Sequence, residues 1–139
     1  MRFWLGVVSR DHVLRGVALG IAQIGHGRRS GLQRLKADDW LVYYSPRPSL
    51  GSKQALRAFT AIGQVADNDI WQADEGDFHP WRRRIAYLDD VTEIPIAMLA
   101  DELELTSTPN WGYQLRRGLL ELSEADFKVI RGAMSTTTA

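Results

Sequence analysis

Trp40-Leu41-Val42-Tyr43-Tyr44-Ser45-Pro46 is the stretch that decides the fold. Aromatic and β-branched residues fill it, and nothing in it favours a helix or a turn until the proline. Asp38-Asp39 makes the turn that enters it, and Pro46 and Pro48 end it, because proline cannot continue a central ladder. Working outward, Phe3–Ser9 and Phe59–Val65 have the same character and read as strands, with Gly63 a candidate bulge. Ile70–Ala73 reads as a short strand. Arg82–Leu88 reads as a further strand whose alternate positions Arg83, Ile85 and Tyr87 share one face, with Arg82 and Arg84 outward. Ser9 is placed to cap a helix running to Leu19, with His12, Val13, Val17 and Ala18 or Leu19 inward and Gly20 ending it. The later signals are helical: a short helix near Ile96–Ala100 after Ile94-Pro95, another over Tyr113–Leu120 capped by Asn110, and a third from Ser123 to Met134 lined by Phe127, Ile130 and Met134. About five or six strands with several short helices, and no strict βαβ alternation, predict an α+β fold built on a small curved sheet or barrel.

The 139 residues suit one domain over 1–134 with a flexible tail over 135–139, and no repeat or linker interrupts it. There is no cysteine, which excludes a disulfide framework, a CxxC zinc site and a thiol nucleophile. No apolar run approaches the ~18–20 residues of a membrane helix, and Arg10-Asp11-His12 interrupts the opening apolar segment, so a cytoplasmic domain without a signal peptide is expected. Seventeen basic and seventeen acidic residues cancel, which argues against indiscriminate coating of nucleic acid. The distribution is uneven, however. Residues 1–64 hold ten Arg/Lys against three acids, while residues 65–139 hold seven against fourteen. That asymmetry is compatible with one basic face, and equally with charges that pair across the folded surface.

Catalytic signatures are missing: no GxSxG, no GxxxxGKS and no GxGxxG stands between a strand and a helix. Asp38-Asp39 and Asp89-Asp90 read as turns. Asp74-Glu75-Gly76-Asp77-Phe78-His79 lacks calcium-loop spacing and reads as a solvated acidic turn, so neither a metal nor a cofactor is expected. His26 differs from the other histidines, since Gly25 and Gly27 flank it and Arg28-Arg29 follow. What remains is aromatic residues interleaved with arginine, the combination that stacks on bases and holds phosphates. Tyr43-Tyr44-Ser45-Pro46-Arg47 and Asn110-Trp111-Gly112 are candidate pocket walls, whereas Trp4 and Trp40 are expected in the core.

The order of these motifs resembles the EVE domain family. The likeness rests on Phe3–Ser9, His26-Gly27-Arg28-Arg29, Leu32–Trp40, Tyr43–Pro46, Phe59–Gly63, Asn110-Trp111-Gly112 and Leu122–Phe127. It spans about residues 2–131 and implies a PUA-like pseudo-barrel flanked by helices, related to YTH and ASCH domains and to the thymocyte nuclear protein. It also implies binding of RNA or of modified bases, and, with no catalytic constellation readable, the expected function is a non-catalytic module that holds an extruded, modified base of DNA or RNA. The pocket that the resemblance implies comprises Ser9, Gln23, His26, Gly27, Tyr44, Ser45, Pro46, Thr60 and Trp111, and the basic first half of the chain adds the expectation that Arg28, Arg29, Arg34 and Arg47 hold adjacent phosphates. Several members carry a tryptophan in the loop where this sequence has Ala22-Gln23, and an amide there both donates and accepts. Two other readings stand beside this one: a pocket for a free nucleoside or metabolite, and a component of an enzyme acting on modified nucleic acid.

Overall fold

A computed structural model describes residues 1–135. The strands are β1 (Phe3–Val7), β2 (Ile21–Ala22), β3 (Trp40–Ser45), β4 (Ala58–Gln72), β5 (Trp81–Tyr87), β6 (Ile94–Pro95) and β7 (Leu119–Leu122). The helices are α1 (Arg10–Leu19), α2 (Arg29–Leu32) and α3 (Glu124–Met134), with 3-10 helices over Ile96–Leu99 and Trp111–Arg117. The expected α+β class holds, on one open seven-stranded sheet in the order β2-β5-β4-β3-β1-β7, with β6 against β4. The strands number seven rather than five or six because β2 and β6, of two residues each, are too short to leave a period-2 pattern.

β1 and β3 pair in parallel at the centre, and β7 closes antiparallel on the other side of β1. Both central strands are buried on both faces, so they read as continuous apolar runs rather than alternating ones. Phe3, Leu5, Val42 and Tyr44 face a core completed by Phe59 from β4 and by Phe127, Ile130 and Met134 from α3. Trp4, Leu41 and Tyr43 face a second core with Val13, Leu32, Leu35 and Ile85. Consecutive residues thus serve opposite cores, as period 2 requires.

Several expectations are corrected. The segments 59–65 and 70–73 are one 15-residue strand, β4. Its register shift falls between Val65 and Ile70, and another lies at Tyr43/Tyr44, so Gly63 is not the bulge. Gly63 instead admits its neighbour, because a Cβ there would lie 2.9 Å from the Tyr87 ring and 2.4 Å from Ile85. Tyr113–Leu120 is not one helix: a 3-10 helix ends at Arg117 and β7 begins at Leu119. Asn110 precedes that helix in the left-handed region without a side-chain cap. α1 does end at Gly20, yet only Val13 of the expected inward residues is buried. Gly16 supplies the rest of the contact, since a Cβ there would stand 2.9 Å from the Ile21 carbonyl. The Ser123 hydroxyl caps α3 by accepting from the Asp126 N–H at 3.1 Å. Of the expected flexible tail over 135–139, Ser135 is instead tied down, bridging to Val91 and donating to the Arg131 carbonyl, and 136–139 lie outside the described residues.

Asp39 ties the chain start to the entry of β3. One carboxylate oxygen accepts from the Arg2 N–H at 2.9 Å, and the other from the Trp4 indole and the Lys36 N–H at 3.0 Å each. Burial pushes its pKa up, but these donors and the N-terminal ammonium outweigh burial and hold it below its ordinary 3.8. A depressed folded pKa stabilises above the unfolded value and loses that contribution as pH falls through the folded value. Asp39→Asn is therefore expected to destabilise by about 1–3 kcal/mol at pH 7, with the gap to wild type narrowing as denaturant titrations move from pH 5 to pH 2. An equal gap at both ends of that range contradicts the assignment.

Candidate functional site

The β3 alternation that sends Tyr44 to one core sends Tyr43 under a cavity of about 880 Å³. Gly6 makes this possible: it pairs with Tyr43 in register, and a Cβ there would lie 3.0 Å from the Tyr43 ring. Tyr43 stacks against Tyr87 with centroids 6.4 Å apart, and the Tyr87 hydroxyl donates to the Ile21 carbonyl at 2.8 Å. Burial pushes the Tyr43 pKa up to about 12, against a smaller opposite pull from Tyr87. The cavity floor is therefore neutral, aromatic and rigid.

Four segments raise the walls. The end of β1 contributes Val8 and Ser9, and α1 contributes His12, Arg15 and Leu19. Pro46 and Arg47 follow β3, on a loop pinned to α1 because the Arg10 and Asp11 N–H groups donate to the Arg47 and Pro48 carbonyls at 3.1 and 3.0 Å. Gln23, Gly25, His26 and Gly27 form the third wall, with Gly25, His26 and Gly27 in succession at φ 60°, 61° and 82°. The β4–β5 hairpin tip closes over this wall, held by the Trp81 N–H donating to the Gly27 carbonyl at 2.8 Å, and adds Glu75 and Phe78. Leu115–Gly118 completes the rim with Arg116 and Arg117.

The rim is electropositive, with Arg15, Arg47, Arg116 and Arg117 against the single carboxylate of Glu75. Glu75 is already engaged: it accepts from Arg15 and, at 2.6 Å, from Arg82. The Arg82 hydrogen bond above all, with the Arg15 charge behind it, holds the Glu75 carboxyl below its usual range. Arg117 also borders a smaller notch of about 250 Å³, lined by Arg28, Ser30, Gly31 and Arg34. Apolar rim residues are exposed too: Leu19, Leu50 and Phe78.

A model of the EVE domain matches residues 2–133. The chain belongs to the EVE domain family. A UPF0310 protein of Renibacterium salmoninarum is 49% identical over 99% of this chain and 98% of its own length. Another, from Mycolicibacterium vanbaalenii, is 44% identical over 100% and 97%. Among solved structures, a Rhodopseudomonas palustris protein superposes with a TM-score of 0.60 at 14% identity, covering 96% of this chain and 93% of its own. A hypothetical protein from Leishmania major superposes with 0.59 at 13%, covering 95% and 93%. At such identities these two show the shared fold alone.

Within this EVE domain the structure brings Ser9, Gln23, His26, Gly27, Pro46 and Arg47 around the cavity, and sets Arg28 and Arg34 around the adjoining notch. Tyr44, Ser45, Thr60 and Trp111 are not among the lining residues. Tyr44 meets Phe59 edge-on in the other core, and Trp111 packs against that core. Ser45 and Thr60 are buried and share a hydrogen bond of 2.8 Å. Arg29 stacks over Trp81 at 5.0 Å, away from both depressions. Arg34 is partly committed as well, lying 4.8 Å over Trp4 and donating to the Leu119 carbonyl. Tyr43, part of the candidate wall Tyr43–Arg47 but absent from the pocket set the resemblance implies, does line the cavity, whereas Arg15, Glu75, Phe78, Arg116 and Arg117 were missed altogether. On a strand buried on both faces, the two adjacent tyrosines could not be told apart from sequence. The acidic turn is also not simply solvated, since Glu75 turns back to two arginines. Among the described residues no group of three or more His, Asp or Glu side chains is placed to hold a metal ion.

Gly27 and Gly25 make a matched pair for testing this wall. Both are left-handed, so alanine costs about 1–2 kcal/mol at either. At Gly27 a Cβ would also lie 2.7 Å from Pro80 Cβ and 3.0 Å from its Cα, whereas Gly25 has nothing within 4 Å. Gly27→Ala is expected to destabilise distinctly more than Gly25→Ala in urea titrations, and equal losses contradict the packing described.

Proposed function

We propose that the cavity accepts a nucleobase extruded from a nucleic-acid strand, a modified base being the expected ligand, while the surrounding arginines hold the flanking phosphates. The observation that carries this reading is the arrangement of charge about the opening. Arginines from α1, the β3–β4 loop and the 3-10 helix converge there, and Arg117 joins the opening to a second arginine-lined notch. Ligand pockets commonly measure about 300–1,000 Å³, so the volume suits a base with its sugar. Tyr43 borders the cavity floor, Gln23 supplies an amide for the base edge, and exposed Phe78 offers a face on which a base stacks. His26, Gly27, Ser9 and Pro46 complete the enclosure. Extrusion costs a few kcal/mol, which stacking and edge hydrogen bonds offset. On this reading the domain binds without performing catalysis.

The basic surface is not the work of the first half of the chain alone. Arg10 is paired with Glu93 at 2.8 Å and Arg29 lies on Trp81, while Arg116 and Arg117 come from the acidic half. The test is fluorescence-anisotropy binding of single-stranded and duplex oligonucleotides, plain and 5-methylcytosine-containing, across a salt series. Arg117→Ala should weaken binding and flatten the slope of log K against log salt by about 0.7–0.9, one phosphate contact's worth. Arg131→Ala should change neither, because Arg131 stacks over Trp40 on the α3 side of the sheet. Oligonucleotides that bind no better than background, beside a free nucleoside that binds independently of salt, favour a small-molecule pocket instead.

A further inference from the structure

We propose that Arg82 and Glu75 lock the Gln23 amide so that it offers the cavity only N–H donors, making this position a reader of acceptor edges. The inference rests on the proposal that the cavity takes a base, and it specifies which edge of that base is read.

A glutamine amide has two ends of nearly equal shape and opposite hydrogen-bonding character, so its neighbours decide which end faces where. The Nε–H of Arg82 lies 2.6 Å from the Gln23 side chain. An arginine nitrogen has a proton to give and no lone pair to offer, so the end it meets must be the carbonyl oxygen Oε1. A reversed amide would set N–H against N–H and lose a charge-assisted bond. Arg82 cannot easily swing away to permit that reversal. Its Nη2 donates to Glu75 Oε2 at 2.6 Å, its side chain is 13% exposed, and Glu75 is held on its other side by Arg15. The chain Arg15, Glu75, Arg82, Gln23 thus runs from α1 through the hairpin tip and β5 to the residue following β2. The Gln23 Nε2 hydrogens, in a residue that lines the cavity, have no partner among the described residues. Beside a lone arginine Gln23 would keep the choice between donating and accepting, but here Glu75 removes it.

The group facing Gln23 must therefore carry a lone pair: a ring nitrogen without hydrogen, or a carbonyl oxygen. An exocyclic amine at that place would set donor against donor. The site selects its base by an acceptor that this amide satisfies, and charge on the rim contributes nothing to that selection because every base carries the same phosphates.

The experiment compares oligonucleotides that differ at one unpaired base, in pairs where an amine replaces a carbonyl: cytosine and uracil, 5-methylcytosine and thymine, adenine and hypoxanthine. Wild type is expected to separate at least one pair by about tenfold or more. Arg82→Leu frees the amide to turn, and should bring that ratio to within about threefold, chiefly by raising affinity for the base that wild type disfavours. Glu75→Gln should relax the ratio in the same direction. Gln23→Glu keeps the Arg82 contact but removes both donors, and should cost the preferred base about tenfold or more, with folding checked by the thermal melt. A ratio unchanged in Arg82→Leu, full affinity in Gln23→Glu, or binding without any discrimination in wild type overturns the inference and leaves base binding standing. Failure of wild type to bind any of the six overturns the underlying reading instead.

Discussion

Two-sided burial of β1 and β3 is the constraint on which the remainder of this protein depends. Each strand must satisfy an apolar core on both faces, so each residue is committed to one face by its parity in the strand. Tyr44 goes to the α3 side with Phe59, while Tyr43 goes to the other side and becomes the floor of the cavity. Gly6 and Gly63 are consequences of this: each removes the Cβ that would strike Tyr43 or Tyr87. A one-residue slip of β3 in one direction would put Val42 in place of Tyr43 beneath the cavity, and a slip the other way would put Ser45 in place of Tyr44 in the α3 core.

Above that rigid floor the site belongs to connecting segments, which is where binding residues usually reside on a scaffold of this kind. They are held by backbone hydrogen bonds that leave their side chains available. The Gly27 carbonyl is taken by Trp81, and the Arg47 and Pro48 carbonyls by the start of α1. Arg83 does similar work from inside the second core. Nearly fully buried, it donates to the Leu32, Leu35 and Asp67 carbonyls and so anchors the turn beneath the arginine-lined notch. Burial lowers its pKa, partly offset by nearby aspartates, and it remains a cation whose guanidinium organises backbone rather than ligand.

Charge divides along the same lines. A chain with no net charge carries a positive opening because all but one of its acidic side chains lie away from it, and some of its other cations are engaged elsewhere. Arg10 pairs with Glu93, Arg84 with Asp67, and Arg131 covers Trp40. The arginines that remain about the opening come from both halves of the sequence. Glu75, the single acid among them, organises neighbours by fixing Arg82 and hence Gln23.

Local chemistry was enough to read the α+β class, the strands β1, β3 and β5, helix α1 with its Gly20 stop, and the Ser123-capped helix. These depend on propensity, proline, glycine and capping within a few residues of one another. The glycine-flanked His26 and the loop bearing Gln23 were also legible, because a run of residues at positive φ announces itself through its glycines. Two-residue strands were not, since pairing alone creates them. Nor was the choice of Tyr43 over Tyr44, because on a strand apolar on both faces the sequence carries the alternation without saying which face holds the cavity. Arg15, Glu75, Arg82 and Arg116-Arg117 lie far apart in the chain, and only the sheet order brings them to one opening. The sequence by itself determined most of the longer elements and the alternation within them, which are local properties. The tertiary structure alone decided which face became a site and which charges surround it, because both depend on contacts between residues whose separation along the chain carries no trace of their meeting.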